Sequence, residues 1–253
     1  MKKGLILGHI YRFYATRVAL GVWRLDEDEV VHALKVLRIV DGQTVEVMDG
    51  KGVTGVGRFQ IESKSKAIVL DVSEVVHPQD SRTRALMIAA LKPGDVDDLV
   101  APLVELGVDR IIVYRQDETS KHRLSDGATE RWARLARAAM KQSKRPWEVK
   151  MSCYGSLADA LEEVTAFDVR WMLSAEAPCD FLTEVARLSS AGGSVVALVG
   201  GEKGFSQREE SLALAKGFVP IRLGPWILRA KTAGIASANL LGMMPAVVRT
   251  NSR

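Results

Sequence analysis

The sequence predicts an α/β fold, with a parallel sheet covered on both faces and a small β-rich region ahead of it. Three observations carry this. Beyond residue 83, strand-like and helix-like segments alternate, which implies parallel strands joined by crossover helices. Before residue 77, apolar and polar residues alternate in three segments, as in strands with one buried face. The β-branched run Val195–Val199 suits a strand buried on both faces, and a glycine turn and a helix-capping pattern follow it directly.

In the first 76 residues, strands are predicted over Thr44–Met48, Val53–Ile61 and Ala67–Val76, with Asp49-Gly50-Lys51-Gly52 as the hairpin turn between the first two. One helix interrupts them. Leu25 followed by Asp26 and Glu29 supplies a staple and a capping box, after which Val30, Val31, Leu34 and Leu37 fall on one face. His32, Lys35 and Arg38 are spaced by three and share a different face, which suits phosphate contact and a solvated helix surface equally.

His77-Pro78-Gln79-Asp80-Ser81 is polar, turn-rich and placed where the pattern changes. Residues 77–83 are therefore read as a linker between a unit of residues 1–76 and one of residues 84–253. In the second, strands are expected at Arg84–Leu91, Arg110–Tyr114, Asp168–Leu173 and Ser194–Val199. Helices are expected at Asp95–Leu106, Ala128–Gln142, Ser156–Val164 and Asp180–Ser189.

Two glycine-containing turns, each after a strand-like run, read as the walls of one cofactor pocket. The first is Ala197-Leu198-Val199-Gly200-Gly201-Glu202-Lys203-Gly204-Phe205-Ser206, and Ser206 with Glu209 makes a capping box for the helix behind it. The second is Arg222-Leu223-Gly224-Pro225-Trp226-Ile227-Leu228-Arg229-Ala230-Lys231-Thr232, with one helix and one short strand between the two turns. In an open α/β sheet, ligands bind beyond the carboxyl ends of the strands. A nicotinamide dinucleotide site is set aside, because Val199 stands where the first glycine belongs and Leu223-Gly224 where an acidic residue is needed. Lys203 followed by Gly204 likewise lacks the Lys-Ser/Thr pair of a phosphate-binding loop.

Composition narrows the classes further. With 47% hydrophobic and 26% charged residues, the 253-residue chain is that of an ordinary globular protein. Met1–Gly8 is too short an apolar start for a signal peptide, and Ala233–Val248, broken by Asn239, Gly242 and Pro245, falls short of a membrane span. A cytoplasmic protein without membrane contact is expected. Cys153 and Cys179 have no paired spacing, and His9, His32, His77 and His122 form no ligand pattern, so free thiols and no metal site are expected.

The excess of positive charge is concentrated in one place. Arg131 to Arg145 carries six cations and no acid. On the Ala128–Gln142 helix, Trp132, Leu135, Ala136 and Ala139 form the buried stripe, while Arg134, Arg137, Lys141 and Lys144 recur at spacings of three and four on the other side. Cations gathered this way are costly unless an anion receives them, and a nucleic-acid backbone is the natural partner.

With these residues in place, the chain resembles the 16S ribosomal RNA uridine-N3 methyltransferase family, part of the knotted SPOUT class of S-adenosylmethionine enzymes. The resemblance runs through His32-Ala33-Leu34-Lys35-Val36-Leu37-Arg38, Gly42, Asp49-Gly50, Val104-Glu105-Leu106-Gly107-Val108 and Lys141-Gln142-Ser143-Lys144-Arg145 to the two turns. It implies a PUA-like RNA-binding β-barrel followed by an α/β domain with a deep trefoil knot, a homodimer, and 16S ribosomal RNA or the small subunit as partner. It implies S-adenosylmethionine as cofactor, held by Leu173, Leu198, Val199, Gly200, Gly201, Glu202, Gly204, Leu223, Gly224, Ile227, Leu228 and Thr232. Arg229 becomes the catalytic candidate, a cation that would stabilise charge developing on the base, unless it pairs structurally with Glu202. Arg12, His32, Lys35, Arg38, Arg134, Arg137, Lys141 and Arg145 become the RNA-binding set.

The chain also departs from the family pattern. The usual Gly-Pro-Glu-Gly-Gly is here Gly200-Gly201-Glu202-Lys203-Gly204, Trp226 stands for an arginine and Lys231 for a glutamate, and Asp95 and Pro102 fall where basic residues are usual. Lys203, Trp226 and Lys231 leave a second reading open, that of a non-catalytic or retargeted RNA-binding protein on the same scaffold.

Overall fold

A computed structural model describes residues 10–92, 94–116, 127–187 and 193–244, and these divide into two units. In the first, five strands close into a barrel in the order β1-β2-β5-β4-β3: β1 (Arg12–Ala19), β2 (Val22–Leu25), β3 (Thr44–Met48), β4 (Val53–Ser63) and β5 (Lys66–Val76). β1 pairs with β3 in parallel, and the other neighbours are antiparallel. Side-chain alternation sends Phe13, Trp23, Val45, Val47, Phe59 and Val69 into a common core. The predicted hairpin turn is present, and Asp49 Oδ1 accepts from the N–H groups of Lys51 and Val53 at 2.6 and 3.0 Å.

The helix of this unit differs from its expected form. α1 (Glu27–Val31) starts where predicted, but the Asp26 side chain makes no cap, and Glu29 N and Val30 N donate to the Asp26 carbonyl instead. After one turn the chain winds wider, into a π-helical turn at His32–Val36 with Leu37 N donating to His32 O at 3.0 Å. Val30, Ala33, Leu34 and Leu37 face the core, and Val31, expected inside, lies one residue off that stripe and is exposed. The turn ends at Arg38, whose φ of 54° is left-handed.

β1 and β2 had no clear signal, because Arg12, Arg17 and Arg24 interrupt the apolar alternation and the second half of β1 is exposed. Arg12 is corrected as an RNA contact. Its side chain is only 7% exposed and pairs with Glu46 on β3 at 2.6 Å, so it ties two barrel strands together. The first unit also contains Lys144–Glu148, from far along the chain. Trp147 covers Gly52, at φ 96°, where a Cβ would overlap the indole ring, and Gly52 N donates to Pro146 O at 3.1 Å.

The second unit is a six-stranded parallel sheet, in the order β11-β9-β10-β6-β7-β8. Its strands are β6 (Arg84–Ala89), β7 (Arg110–Tyr114), β8 (Lys150–Tyr154), β9 (Val169–Leu173), β10 (Val195–Val199) and β11 (Val219–Ile221). Every residue of β6 and β10 is buried, as expected for strands covered on both faces. β8 is an edge strand without a buried residue, and Lys150 and Ser152 interrupt its apolar residues, which explains why the sequence did not announce it.

The helices are α2 (Asp95–Glu105), α3 (Ala128–Ser143), α4 (Leu157–Glu163), α5 (Phe181–Arg187), α6 (Gln207–Ala215) and α7 (Ala230–Gly242). The last positions of the expected Asp180–Ser189 helix lie outside the described residues, as do His9 and His122. α3 buries Trp132, Ala136, Ala139 and Met140. Its basic run holds no acid of its own, but Arg131 pairs with Asp97 on α2 at 3.0 Å. α7 packs closely on α2, and a Cβ at Gly242 would overlap Leu106 O. The buried Arg84 closes the end of α7, donating to Leu241 O and Met244 O at 2.9 and 3.0 Å and pairing with Asp80 at 2.7 Å. It thus satisfies carbonyls that a helix end leaves without partners. Among the described residues, no helix is long and apolar enough to cross a membrane.

Candidate cofactor cleft

At the carboxyl ends of β9, β10 and β11, the second unit opens a cleft of about 480 Å³, within the size range of small-molecule sites. The first glycine turn leaves β10 at Val199, and the second follows β11 after Ile221. Both turns line the same space, as their sequences predicted. Of the residues assigned to the cofactor, Leu173, Val199, Gly200, Gly201, Glu202, Gly204, Leu223, Gly224, Ile227 and Leu228 line it.

Leu198 and Thr232 do not line it. The β period of two turns Leu198 into the sheet core, where it is fully buried, and Thr232 lies on the exposed side of α7. Arg229 is the N-cap residue of α7 and is exposed, outside the lining but between Leu228 and Ala230, which belong to it. The alternative partner proposed for Arg229 is engaged elsewhere, because Glu202 pairs with Lys92 at 3.1 Å.

The capping box behind the first turn is complete. Glu209 N donates to Ser206 Oγ at 3.2 Å, and Ser206 N donates to Glu209 Oε2 at 2.8 Å. Glu209 is buried in the process. Within the turn, Gly204 N donates to Gly201 O at 3.0 Å, and Gly204 has φ 74°.

Sequence reasoning missed Ser174, Ala175, Glu176 and Glu210 as lining residues. The first three follow the predicted Asp168–Leu173 strand directly, and the rule that ligands sit beyond the ends of parallel strands would have found them. Arg222 faces Asp180, whose carboxyl is held below its ordinary value mainly by the Thr183 N–H and hydroxyl and in part by this guanidinium. Trp226 lines the cleft and remains 79% exposed.

The basic candidates sit as follows. Lys35, Arg38 and Arg134 are exposed, and His32, Arg137, Lys141 and Arg145 are half-buried. Arg145 Nε donates to Trp147 O at 3.2 Å. Among the described residues, no cluster of His, Cys, Asp or Glu could hold a metal ion.

Known proteins share both units. The RNA methyltransferase domain family matches residues 78–242, and the RNA methyltransferase PUA domain family matches residues 25–72. A ribosomal RNA small subunit methyltransferase E from Synechocystis is 30% identical over 202 residues, which cover 79% of this chain and 65% of that protein. Its counterpart from Aquifex aeolicus is 29% identical over 235 residues, covering 90% of this chain and 97% of that one. The crystal structure of a ribosomal RNA small subunit methyltransferase E from Neisseria gonorrhoeae, bound to S-adenosyl methionine, superimposes with a TM-score of 0.77 at 24% identity, over 92% of this chain and 97% of that one. Because the methyltransferase match spans the sheet and both glycine turns, and a PUA match falls within the barrel, the chain belongs to the RNA methyltransferase family.

Proposed function

We propose that the chain transfers a methyl group from S-adenosylmethionine to N3 of a uridine in 16S ribosomal RNA. The observation that carries this reading is the cleft, formed by two glycine turns at parallel strand ends inside the span matched by the methyltransferase domain family. The names of the relatives supply the RNA class, and the gonococcal structure supplies the donor.

The residues present fit that donor. A Cβ at Gly204 or Gly224 would point into open space, so at both places the main chain can approach a ligand directly. Bound there, the donor supplies a methyl group activated by its sulfonium. The chain contributes alignment and exclusion of water. Backbone groups of Gly200, Gly201, Gly204 and Gly224 would hold the polar parts, and Leu173, Val199, Leu223, Ile227 and Leu228 would give apolar contact.

The acceptor nitrogen must lose its proton, and Arg229 beside the cleft is the cation that would stabilise the charge spreading onto the base carbonyls. Lys35, Arg38, Arg134, Arg137 and Lys141, with His32 and Arg145, would meet phosphates. In this reading the barrel of residues 1–76 binds RNA, residues 77–83 link, and residues 84–253 carry methyl transfer. The homodimer, the trefoil knot and a cytoplasmic setting belong to the same proposal.

Labelled donor and small-subunit RNA test it. Label transferred to RNA, and mapped by mass to a uridine, supports the enzyme. Donor and RNA binding without transfer would establish the non-catalytic reading, which draws on Lys203 and Trp226 in the cleft lining.

A further inference from the structure

The first glycine turn has little of its own to hold it in shape. Its internal backbone hydrogen bond is Gly204 N to Gly201 O, and three of its residues are glycines that lose much conformational freedom when fixed. Tyr114 Oη, on β7, donates to Val199 O at 3.1 Å, and a side chain just beyond that strand constrains the rest of the turn. Gln116 follows β7 by two residues and does not line the cleft. Its Nε2 donates to Gly204 O at 2.8 Å and to Glu209 Oε2 at 3.1 Å. Its Oε1 lies against Gly201, where a Cβ would overlap it.

One amide group therefore touches the start of the turn, its end, and the carboxylate that caps the following helix. We infer that Gln116 is a positioning residue for the methyl donor, acting by fixing Gly201–Gly204 in the conformation that meets it. This inference rests on the donor reading above. A preorganised turn spends less binding energy on ordering itself, so the loss of Gln116 falls on donor affinity.

The geometry also makes Gly201 and Gln116 interdependent. Any side chain at residue 201 must push the Gln116 amide away and break both of its hydrogen bonds. Gly201→Ala is therefore expected to behave as Gln116→Ala does.

Calorimetric titration with S-adenosylmethionine would compare the unaltered protein, Gln116→Ala, Gly201→Ala and the double variant. Each single change should weaken donor binding about tenfold, as the loss of two hydrogen bonds predicts. The double variant should be no weaker than either single one, because both act through the same contact. In turnover assays of Gln116→Ala, KM for the donor should rise, while kcat at saturating donor and RNA affinity stay unchanged. Gln116→Met, which keeps the volume without donating, should resemble Gln116→Ala.

Unchanged donor affinity in Gln116→Ala, or additive losses in the double variant, would overturn the role of Gln116. Failure of the unaltered protein to bind the donor would instead overturn the donor reading.

Discussion

Lys231 Nζ lies 3.1 Å from Asp95 Oδ1, joining the first turn of α7 to the first turn of α2, and Asp98 Oδ2 stands 3.0 Å from the same ammonium. Both Lys231 and Asp95 depart in charge from the family pattern, and they depart together. The cation that the sequence places beside the pocket is one half of an ion pair. Lys231→Glu should lower the melting temperature, and adding Asp95→Lys should restore part of the loss. The effect should shrink in high salt, because the pair is partly exposed. Asp98 and Asp95 raise the Lys231 pKa from its ordinary 10.5. The contribution is therefore complete below that pH and disappears only as pH rises through the raised value. A pair contribution that faded between neutral pH and pH 9 would contradict this.

Gly200 should tolerate no branched side chain. A Cβ there would stand 3.0 Å from Gly204 C, 3.2 Å from Gly204 O and 3.3 Å from Phe205 Cζ. Gly200→Val should weaken donor binding more than tenfold, roughly 1.4 kcal/mol or more, while RNA binding survives. Calorimetry and filter binding on one preparation give both values, and a joint loss would point to misfolding.

The outer side of α3 should set the salt dependence of RNA binding. Replacing Arg134, Arg137 and Lys141 together should flatten the plot of log affinity against log salt, by up to about 0.9 for each phosphate contact removed. An unchanged slope would take α3 off the RNA surface. Arg12→Ala should leave the slope alone and lower stability instead, since Arg12 is paired inside the barrel.

Arg84 should matter for folding. Removing its guanidinium strands two helix-end carbonyls and the Asp80 carboxylate. Arg84→Ala should cost about 3 kcal/mol, the scale for breaking a buried pair. A shift of the denaturant midpoint at constant m-value would measure it.

The parts that were legible in the sequence are those governed by local periodicity. The runs at Thr44–Met48, Arg110–Tyr114 and Val195–Val199, and the Ser206–Glu209 box, are local patterns, and each stands where its residues put it. The π-helical turn was not legible, because a one-residue change of winding leaves no compositional mark. Arg12 and Arg131 were misread for a related reason. Their carboxylate partners, Glu46 and Asp97, lie 34 residues away in each case, so only the fold brings charge to charge. Gln116 is the clearest example in the site, being an unremarked amide 88 residues from the turn it braces.

The excursion of Lys144–Glu148 into the barrel unit has a practical consequence for dissecting this protein. The main chain changes units three times, after Gln79, after Ser143 and after Glu148. A truncation at the polar linker would deprive the amino-terminal fragment of Trp147 and leave Gly52 bare. An isolated barrel intended for RNA-binding studies would need the Lys144–Glu148 peptide grafted back, or the two halves co-expressed.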